Sequence, residues 1–323
     1  MVKLLKKFDG ALAVSILVAA LMIILVVYPD RYVSTTFDGI KVWALNVLPS
    51  LLPFFFFTNL LTRLKYASDF ALSLSPVSRV LYGADGLGVY AQVMSFLSGY
   101  PVGVKIISDL YLGGLIDRKQ ATKYSTFCST SGPLFIVGTV GVAIFQSKKI
   151  GVILLISHLL SSILTGVIFR WVKTAESKTP TVAFAATDNV LYESVYSSVV
   201  SVSIVGGFIA VFYTIARVCF DFNLFYPLTA LLSPLLGVEN ANGIAMGLIE
   251  CTFACRQFAE NVSILSVCLS CGAITFGGLS VWCQSAVYIK KANASFITFA
   301  LSKIVQCVIS MIICYLLLLI AGL

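Results

Sequence analysis

Charge is what this sequence has least of. Only 11% of its 323 residues are Asp, Glu, Lys or Arg, while 59% are hydrophobic and the mean hydropathy is +0.98. A soluble globular domain carries roughly a quarter charged residues, so that class is excluded. With it goes the nucleic-acid reading that a formal charge of +8 would invite in a soluble chain. There is no ten-residue alternation of apolar and polar positions, which excludes an outer-membrane barrel. The longest polar stretch, residues 173–189, is a loop and not a soluble domain. The chain has a single histidine, His158, and it stands apart from the Gly, Pro and Ser clusters. A hydrolase needs a nucleophile with a positioned base, so no enzyme is expected. No glycine-rich phosphate loop is present, which argues against ATP hydrolysis by this chain.

What is present is a series of apolar runs, giving an all-α polytopic membrane protein surrounded by lipid bilayer. Residues 11–28 follow Lys3, Lys6 and Lys7, lack a small-residue cleavage site and are long enough to span, so they read as a helix and not a signal peptide. One topology places most of the 22 Lys and Arg residues on a single side: Lys3, Lys6, Lys7, Arg63, Lys65, Arg79, Arg118, Lys119, Lys123, Arg170, Lys173, Lys178, Lys290 and Lys291. Arg31, Lys41, Lys148, Lys149 and Arg217 fall opposite. That bias predicts a cytoplasmic N-terminus in a bacterial cytoplasmic membrane.

Several runs are interrupted. Ser98-Gly99-Tyr100-Pro101 separates two arms of about a dozen residues, each reaching about 18 Å, which suits the midplane of a core about 30 Å thick. A re-entrant hairpin accounts for this. Ser129-Thr130-Ser131-Gly132-Pro133 breaks the next run, residues 122–145. Residues 242–258 predict a second hairpin, interrupted at Glu250-Cys251-Thr252. Residues 262–289 are expected to break at Ser270-Cys271-Gly272 and again at Gly277-Gly278. Residues 30–41 read as an outer loop, and the segment with Asp188 and Glu193 as interfacial ahead of a crossing at 199–218. Pro49 and Pro53 predict a kinked helix leading to Arg63.

The order of kinked or glycine-bearing helix, Leu-Ser-Pro segment, hairpin, broken helix and intact helix occurs twice, in opposite senses. This is an inverted-repeat transporter fold with about seven full spans. The predicted boundaries are an N-terminal helix and outer loop at 1–41, a first repeat at 42–172, a loop with an interfacial helix at 173–198, and a second repeat at 199–323.

Freed backbone groups survive in a membrane only where protein or a polar cavity satisfies them, so the interruptions mark the candidate site. Candidate substrate-binding residues are Ser98, Gly99, Tyr100, Lys105, Ser129, Thr130, Ser131, Thr252, Ser270 and Ser280. The hydroxyls serve equally as ligands or as interhelical glue. Lys105 either neutralises a carboxylate substrate or pairs with Asp109 one turn away. Glu250 is the candidate for a coupling proton or Na⁺, since an acid inside an apolar hairpin is costly as an anion. His158 reads as an interhelical partner, and Lys303 as a side chain that snorkels to the near end of its helix. Of the nine cysteines, Cys251, Cys255, Cys268 and Cys271 have metal-like spacing, but no His or acidic cluster completes a ligand set, and they read as apolar packing. No metal or cofactor is expected beyond Na⁺ or H⁺ coupling.

Pro53-Phe54-Phe55, Ser98-Gly99-Tyr100-Pro101-Val102-Gly103-Val104-Lys105, Ser131-Gly132-Pro133-Leu134-Phe135-Ile136, His158-Leu159-Leu160-Ser161, Gly206-Gly207-Phe208-Ile209, Gly247-Leu248-Ile249-Glu250 and Phe276-Gly277-Gly278-Leu279-Ser280-Val281 resemble the YlbJ-type sporulation integral membrane proteins of the nucleoside-recognition Gate superfamily. The similarity runs from about Pro49 to the end. The chain departs from the family pattern at Gly132, Phe253-Ala254 and Trp282-Cys283. The resemblance implies an architecture related to concentrative nucleoside carriers. It also implies movement of dipicolinic acid during sporulation, at the outer forespore membrane if the source forms spores. The expected function is secondary transport of a small anionic or aromatic solute; a nucleoside transporter and a noncatalytic membrane assembly factor are the alternatives. The partners expected are a small-molecule substrate and the lipid bilayer, with self-association into a homo-oligomer left open.

Overall fold

The computed structural model describes residues 10–63, 67–172 and 189–322. Lys3, Lys6, Lys7, Lys65, Lys173, Lys178, Asp188 and the loop that begins at 173 lie outside the described residues. Among the described residues there is no strand. The helices are α1 (Gly10–Val27), α2 (Pro29–Arg63), α3 (Ala67–Ser73), α4 (Ser75–Tyr82), α5 (Gly86–Ser98), α6 (Val102–Leu112), α7 (Arg118–Ser125), α8 (Leu134–Ile144) and α9 (Lys148–Ile168). They continue with α10 (Val190–Asp221), α11 (Tyr226–Leu236), α12 (Val238–Gly247), α13 (Cys251–Ala259), α14 (Ile264–Phe276), α15 (Gly278–Lys291) and α16 (Phe296–Ile320). Pro29–Arg63, Lys148–Trp171, Val190–Asp221, Ile264–Lys291 and Phe296–Ile320 are long and apolar enough to cross a membrane.

Local chemistry starts these helices where the sequence offers caps. Asp117 accepts from Gln120 N–H at 2.8 Å while the Gln120 amide oxygen takes Asp117 N–H, a capping box that opens α7. Ser263 and Ser266 open α14 in the same way, and Asp85, Ser147 and Ser295 cap α5, α9 and α16.

Residues 30–41 are not a loop. They form the first turns of α2, which runs antiparallel to α10 over its whole length. Arg31 pairs with Asp221, Thr36 Oγ1 meets Thr214 Oγ1 at 2.8 Å, Trp43 Nε1 donates to Val202 O at 3.0 Å and Asn59 Nδ2 donates to Ser198 Oγ at 2.9 Å. The polar composition that suggested a loop is explained by Thr35 and Thr36, whose hydroxyls donate to the carbonyls of Arg31 and Tyr32 within the helix. The segment before residue 199 is likewise no separate interfacial helix, because α10 is continuous from Val190. The kink expected at Pro49 takes the form of a π-helical turn at Trp43–Val47, in which Leu48 N–H reaches back five residues to Trp43 O. This wider turn accommodates a helix continued through prolines.

Both hairpins are formed, by α5 with α6 and by α12 with α13. The first broken helix is α7 and α8, separated by non-helical backbone at residues 126–132; α8 is itself π-helical. The second breaks at Gly277 alone. Ser270-Cys271-Gly272 stays inside α14, since Ser270 Oγ donates to Ser266 O at 2.9 Å and Gly272 receives Met311 of α16, whose sulfur would lie 2.8 Å from a Cβ there. The order α2, α3 and α4, α5 and α6, α7 and α8, α9 is followed by α10, α11, α12 and α13, α14 and α15, α16. One apolar core joins the first hairpin to α2 and α10; a second joins α8, α9, α13, α14 and α16 and takes in Cys255, Cys268, Cys271 and Cys314 as packing residues.

Candidate functional site

Each hairpin tip is held against the helix break of its own half. Gly99 has φ +85, and a Cβ there would lie 2.6 Å from Gly132 N, so glycine satisfies both the backbone and the contact. In the second half the attachment is made by main chain: Leu279 N–H donates to Leu248 O at 2.8 Å and Ser280 N–H to Ile249 O at 3.0 Å. Gly278, φ +67, allows this approach, because a Cβ would stand 2.8 Å from the carbonyl oxygens of Gly247 and Ile249.

The non-helical backbone of the first break is buried in protein, as membrane depth demands. Ser95 Oγ accepts from Thr130 N–H at 3.2 Å and pairs with Thr130 Oγ1 at 2.8 Å. Ser131 N–H donates to His158 Nε2 at 2.8 Å, and His158 Nδ1 meets Thr275 Oγ1 at 2.8 Å. Because a backbone N–H can only donate, Nε2 is the accepting nitrogen and Nδ1 the one that carries hydrogen toward Thr275. His158 is the interhelical partner the sequence suggested, and it joins the first break to the end of α14.

Between the tips lies a cavity of about 60 Å³. Tyr100, Ser131, Glu250, Thr252, Ser280 and Gln284 supply its polar lining, and Leu51, Phe135, Val205 and Ile209 its apolar wall. That volume holds about two water molecules. Glu250 is 2% exposed and caps α13, accepting from Phe253 N–H at 2.8 Å, with no cationic side chain in ion-pair range among the described residues. A second, wider pocket of about 350 Å³ lies beyond it, lined by Asn46, Thr139, Thr252, Arg256 and Glu260. Thr252 lines both. Both π-helical segments contribute to both spaces, Val47 and Phe135 to the cavity, Asn46 and Thr139 to the pocket.

Lys303 does not snorkel. It is 1% exposed, and its Nζ donates to Tyr100 OH at 2.8 Å, Ser129 O at 3.0 Å and Gln306 Oε1 at 3.1 Å, lying 5.0 Å from the Tyr100 ring centre. Tyr100 OH donates in turn to Thr275 O at 3.2 Å. The sequence reading missed this residue, although a signal existed: Ser302, Lys303, Gln306 and Ser310 recur at three- and four-residue spacing along an otherwise apolar helix, marking one buried polar stripe.

The structure therefore brings Tyr100, Ser131, Thr252, Ser280 and Glu250 to one cavity. Ser98, Gly99, Ser129 and Thr130 stand behind it: Ser98 Oγ pairs with Thr58 Oγ1 at 2.6 Å, and Ser129 offers its carbonyl to Lys303. Lys105 and Ser270 lie elsewhere. Lys105 contacts Asp109 Oδ2 and Asn59 Oδ1, each at 3.3 Å, and Ser270 is bonded within its own helix. Gln284, Gln306, Asn46 and Arg256 are additions the sequence reading did not single out.

No family model matches the chain. Among solved structures it resembles a variant of the concentrative nucleoside transporter CNTnw in an outward-facing state, with a TM-score of 0.46 and 13% identity, over 92% of this chain and 87% of that one. It is 27% identical over 308 residues, 86% of this chain and 76% of the relative, to the sporulation integral membrane protein YlbJ of Bacillus subtilis (strain 168). Along most of its length, then, this chain is similar to a sporulation integral membrane protein of the kind its hairpin and glycine motifs resemble.

Proposed function

We propose that this protein is a secondary transporter of a small anionic or aromatic solute, with dipicolinic acid the first candidate, built as two inverted repeats. The observation that carries the reading is the convergence of both hairpin tips and both helix breaks on one cavity, whose largely apolar wall carries Glu250 and the hydroxyls of Tyr100, Ser131, Thr252 and Ser280, the arrangement that lets two bundles move about a fixed site. The antiparallel course of α2 and α10, each heading the same succession of elements, supports the inverted relation. The cavity is too small for an aromatic solute as it stands, so loading requires the hairpins to part from the scaffold. Glu250, buried without a cationic partner among the described residues, is the place for a coupling proton or Na⁺. The charge bias puts the Arg63 end of α2 and the N-terminus on the cytoplasmic side of a bacterial membrane, which makes the wider pocket at Arg256 the entrance from outside. Neither a bound cofactor nor catalysis enters this reading.

The test is uptake by proteoliposomes containing the purified protein alone, with labelled dipicolinate or nucleosides and imposed Na⁺ or pH gradients. Gradient-driven accumulation of dipicolinate supports the reading in full. Accumulation of nucleosides alone transfers it to a nucleoside carrier. If no solute moves under any gradient, the transporter reading is lost and an assembly role takes its place.

A further inference from the structure

Lys303 places its amine in the protein interior, where the three hydrogen-bond partners it has among the described residues are all neutral: a phenol, a carbonyl and an amide oxygen. No carboxylate lies in ion-pair range of it among the described residues. Buried charges are ordinarily paired, because dipoles only partly replace the lost hydration. Two neighbours are short of partners as well. Ser129 Oγ and Gln306 Nε2, on residues that both hold Lys303 Nζ, are buried without a hydrogen bond among the described residues. Ser129 is 4% exposed and Gln306 1%. A lysine ammonium, a hydroxyl and an amide N–H₂ form a donor set suited to a carboxylate, whose two oxygens accept about four hydrogen bonds. Tyr100 separates this group from the cavity, lining the cavity with its side chain while its OH occupies one of the three Lys303 donors.

We infer that Lys303, with the Ser129 hydroxyl and the Gln306 amide, is the carboxylate-recognition subsite of the solute site, covered by Tyr100 until a carboxylate takes its place. This rests on the transporter reading and names the part of the solute it recognises. Exchange of the phenol oxygen for a carboxylate oxygen turns a neutral contact into a charge-assisted one and supplies partners to both orphan groups. The Tyr100 ring, which lines the cavity, can stack on an aromatic solute.

The experiment is equilibrium binding and thermal stabilisation of the full chain in detergent, using pyridine-2,6-dicarboxylate, benzoate and the neutral isostere benzamide. The expected result is stabilisation by both carboxylates and none by benzamide. Lys303→Met should weaken carboxylate binding about tenfold or more, and Lys303→Arg should restore part of it. Tyr100→Phe should tighten it by several-fold, because Lys303 loses the competing oxygen; a purely structural Tyr100–Lys303 contact would not give this opposite sign. Gln306→Leu should weaken binding in a protein that remains monodisperse, which keeps the test valid if Lys303→Met does not fold. Equal carboxylate affinity in Lys303→Met and the unaltered chain overturns the subsite, as does equal stabilisation by benzamide or a lack of response to any carboxylate. In that last case nucleoside uptake by liposomes would leave the transporter standing and remove only the subsite.

Discussion

Gly206 and Gly207 are adjacent on α10 but have opposite surroundings, and substituting each by alanine separates packing from helix propensity. A Cβ at Gly206 would lie 2.4 Å from Trp43 Cε2 and 2.6 Å from Cδ2, whereas at Gly207 nothing stands within 4 Å. The indole cannot simply swing aside, because its Nε1 donates to Val202 O at 3.0 Å. Gly206→Ala is therefore expected to cost about 1–3 kcal/mol through overpacking. Losing the indole hydrogen bond costs about 1 kcal/mol more. Better helix propensity returns about 1 kcal/mol, leaving a net loss of about 1–3 kcal/mol. Gly207→Ala receives only the propensity term and should stabilise by up to about 1 kcal/mol. The assay is unfolding in detergent followed by tryptophan fluorescence, which also reports the displaced Trp43, one of three tryptophans. Equal effects at the two positions, or a more stable Gly206→Ala, would refute the packing of α10 against the π-helical turn. Because Val47 ends that turn and lines the cavity, Gly206→Ala should also weaken solute binding while Gly207→Ala leaves it unchanged.

Four further outcomes are expected. His158→Ala strands the Ser131 N–H and the Thr275 hydroxyl, both buried, and should destabilise the protein by about 2–5 kcal/mol in thermal unfolding. Lys105→Ala should leave carboxylate affinity within twofold and stability within about 0.5 kcal/mol, since its pair with Asp109 is half solvated; a large loss of affinity would return Lys105 to the site. Glu250→Gln keeps an oxygen for the Phe253 N–H and should fold normally but lose the response of uptake to the driving gradient, whereas unchanged coupling would free Glu250 of that role. Asp221→Ala removes the partner of both Arg31 and Arg217 at the end where α2 meets α10. With both arginines partly exposed, the expected loss is about 1 kcal/mol in the same assay, reduced by salt.

The hairpins and breaks were legible because glycine, proline and serine clusters interrupt apolar runs, and such interruptions have few physical explanations inside a bilayer. Ser270-Cys271-Gly272 shows where that logic overreaches. A small-residue cluster also serves to admit a neighbouring side chain, here Met311, and local sequence does not distinguish the two uses. Residues 30–41 failed for the converse reason: a polar helix that satisfies its hydroxyls on its own carbonyls, and whose face meets α10, has the composition of a loop. The π-helical turn at Trp43–Val47 leaves no periodic trace, since five residues of widened helix barely disturb a pattern read at 3.6 per turn. Distance from the helix end makes Lys303 read as a snorkelling side chain, whereas the polar stripe it shares with Ser302, Gln306 and Ser310 faces the interior. Around the cavity, Tyr100, Ser131, Glu250, Thr252 and Ser280 were all named from sequence, but which interruption faces which is tertiary information.

The two main-chain bonds from Leu279 and Ser280 to Leu248 and Ile249 bear on how such a site can evolve. Hydrogen bonds between peptide groups do not depend on the identity of the residues that carry them, apart from the glycine at 278 that permits the approach. The side chains of Thr252, Ser280 and Gln284 are thus free to drift without unfastening the second hairpin from its broken helix. For the proposed transporter, this means that a lineage can exchange one solute for another by rewriting the lining while the mechanical linkage is inherited intact.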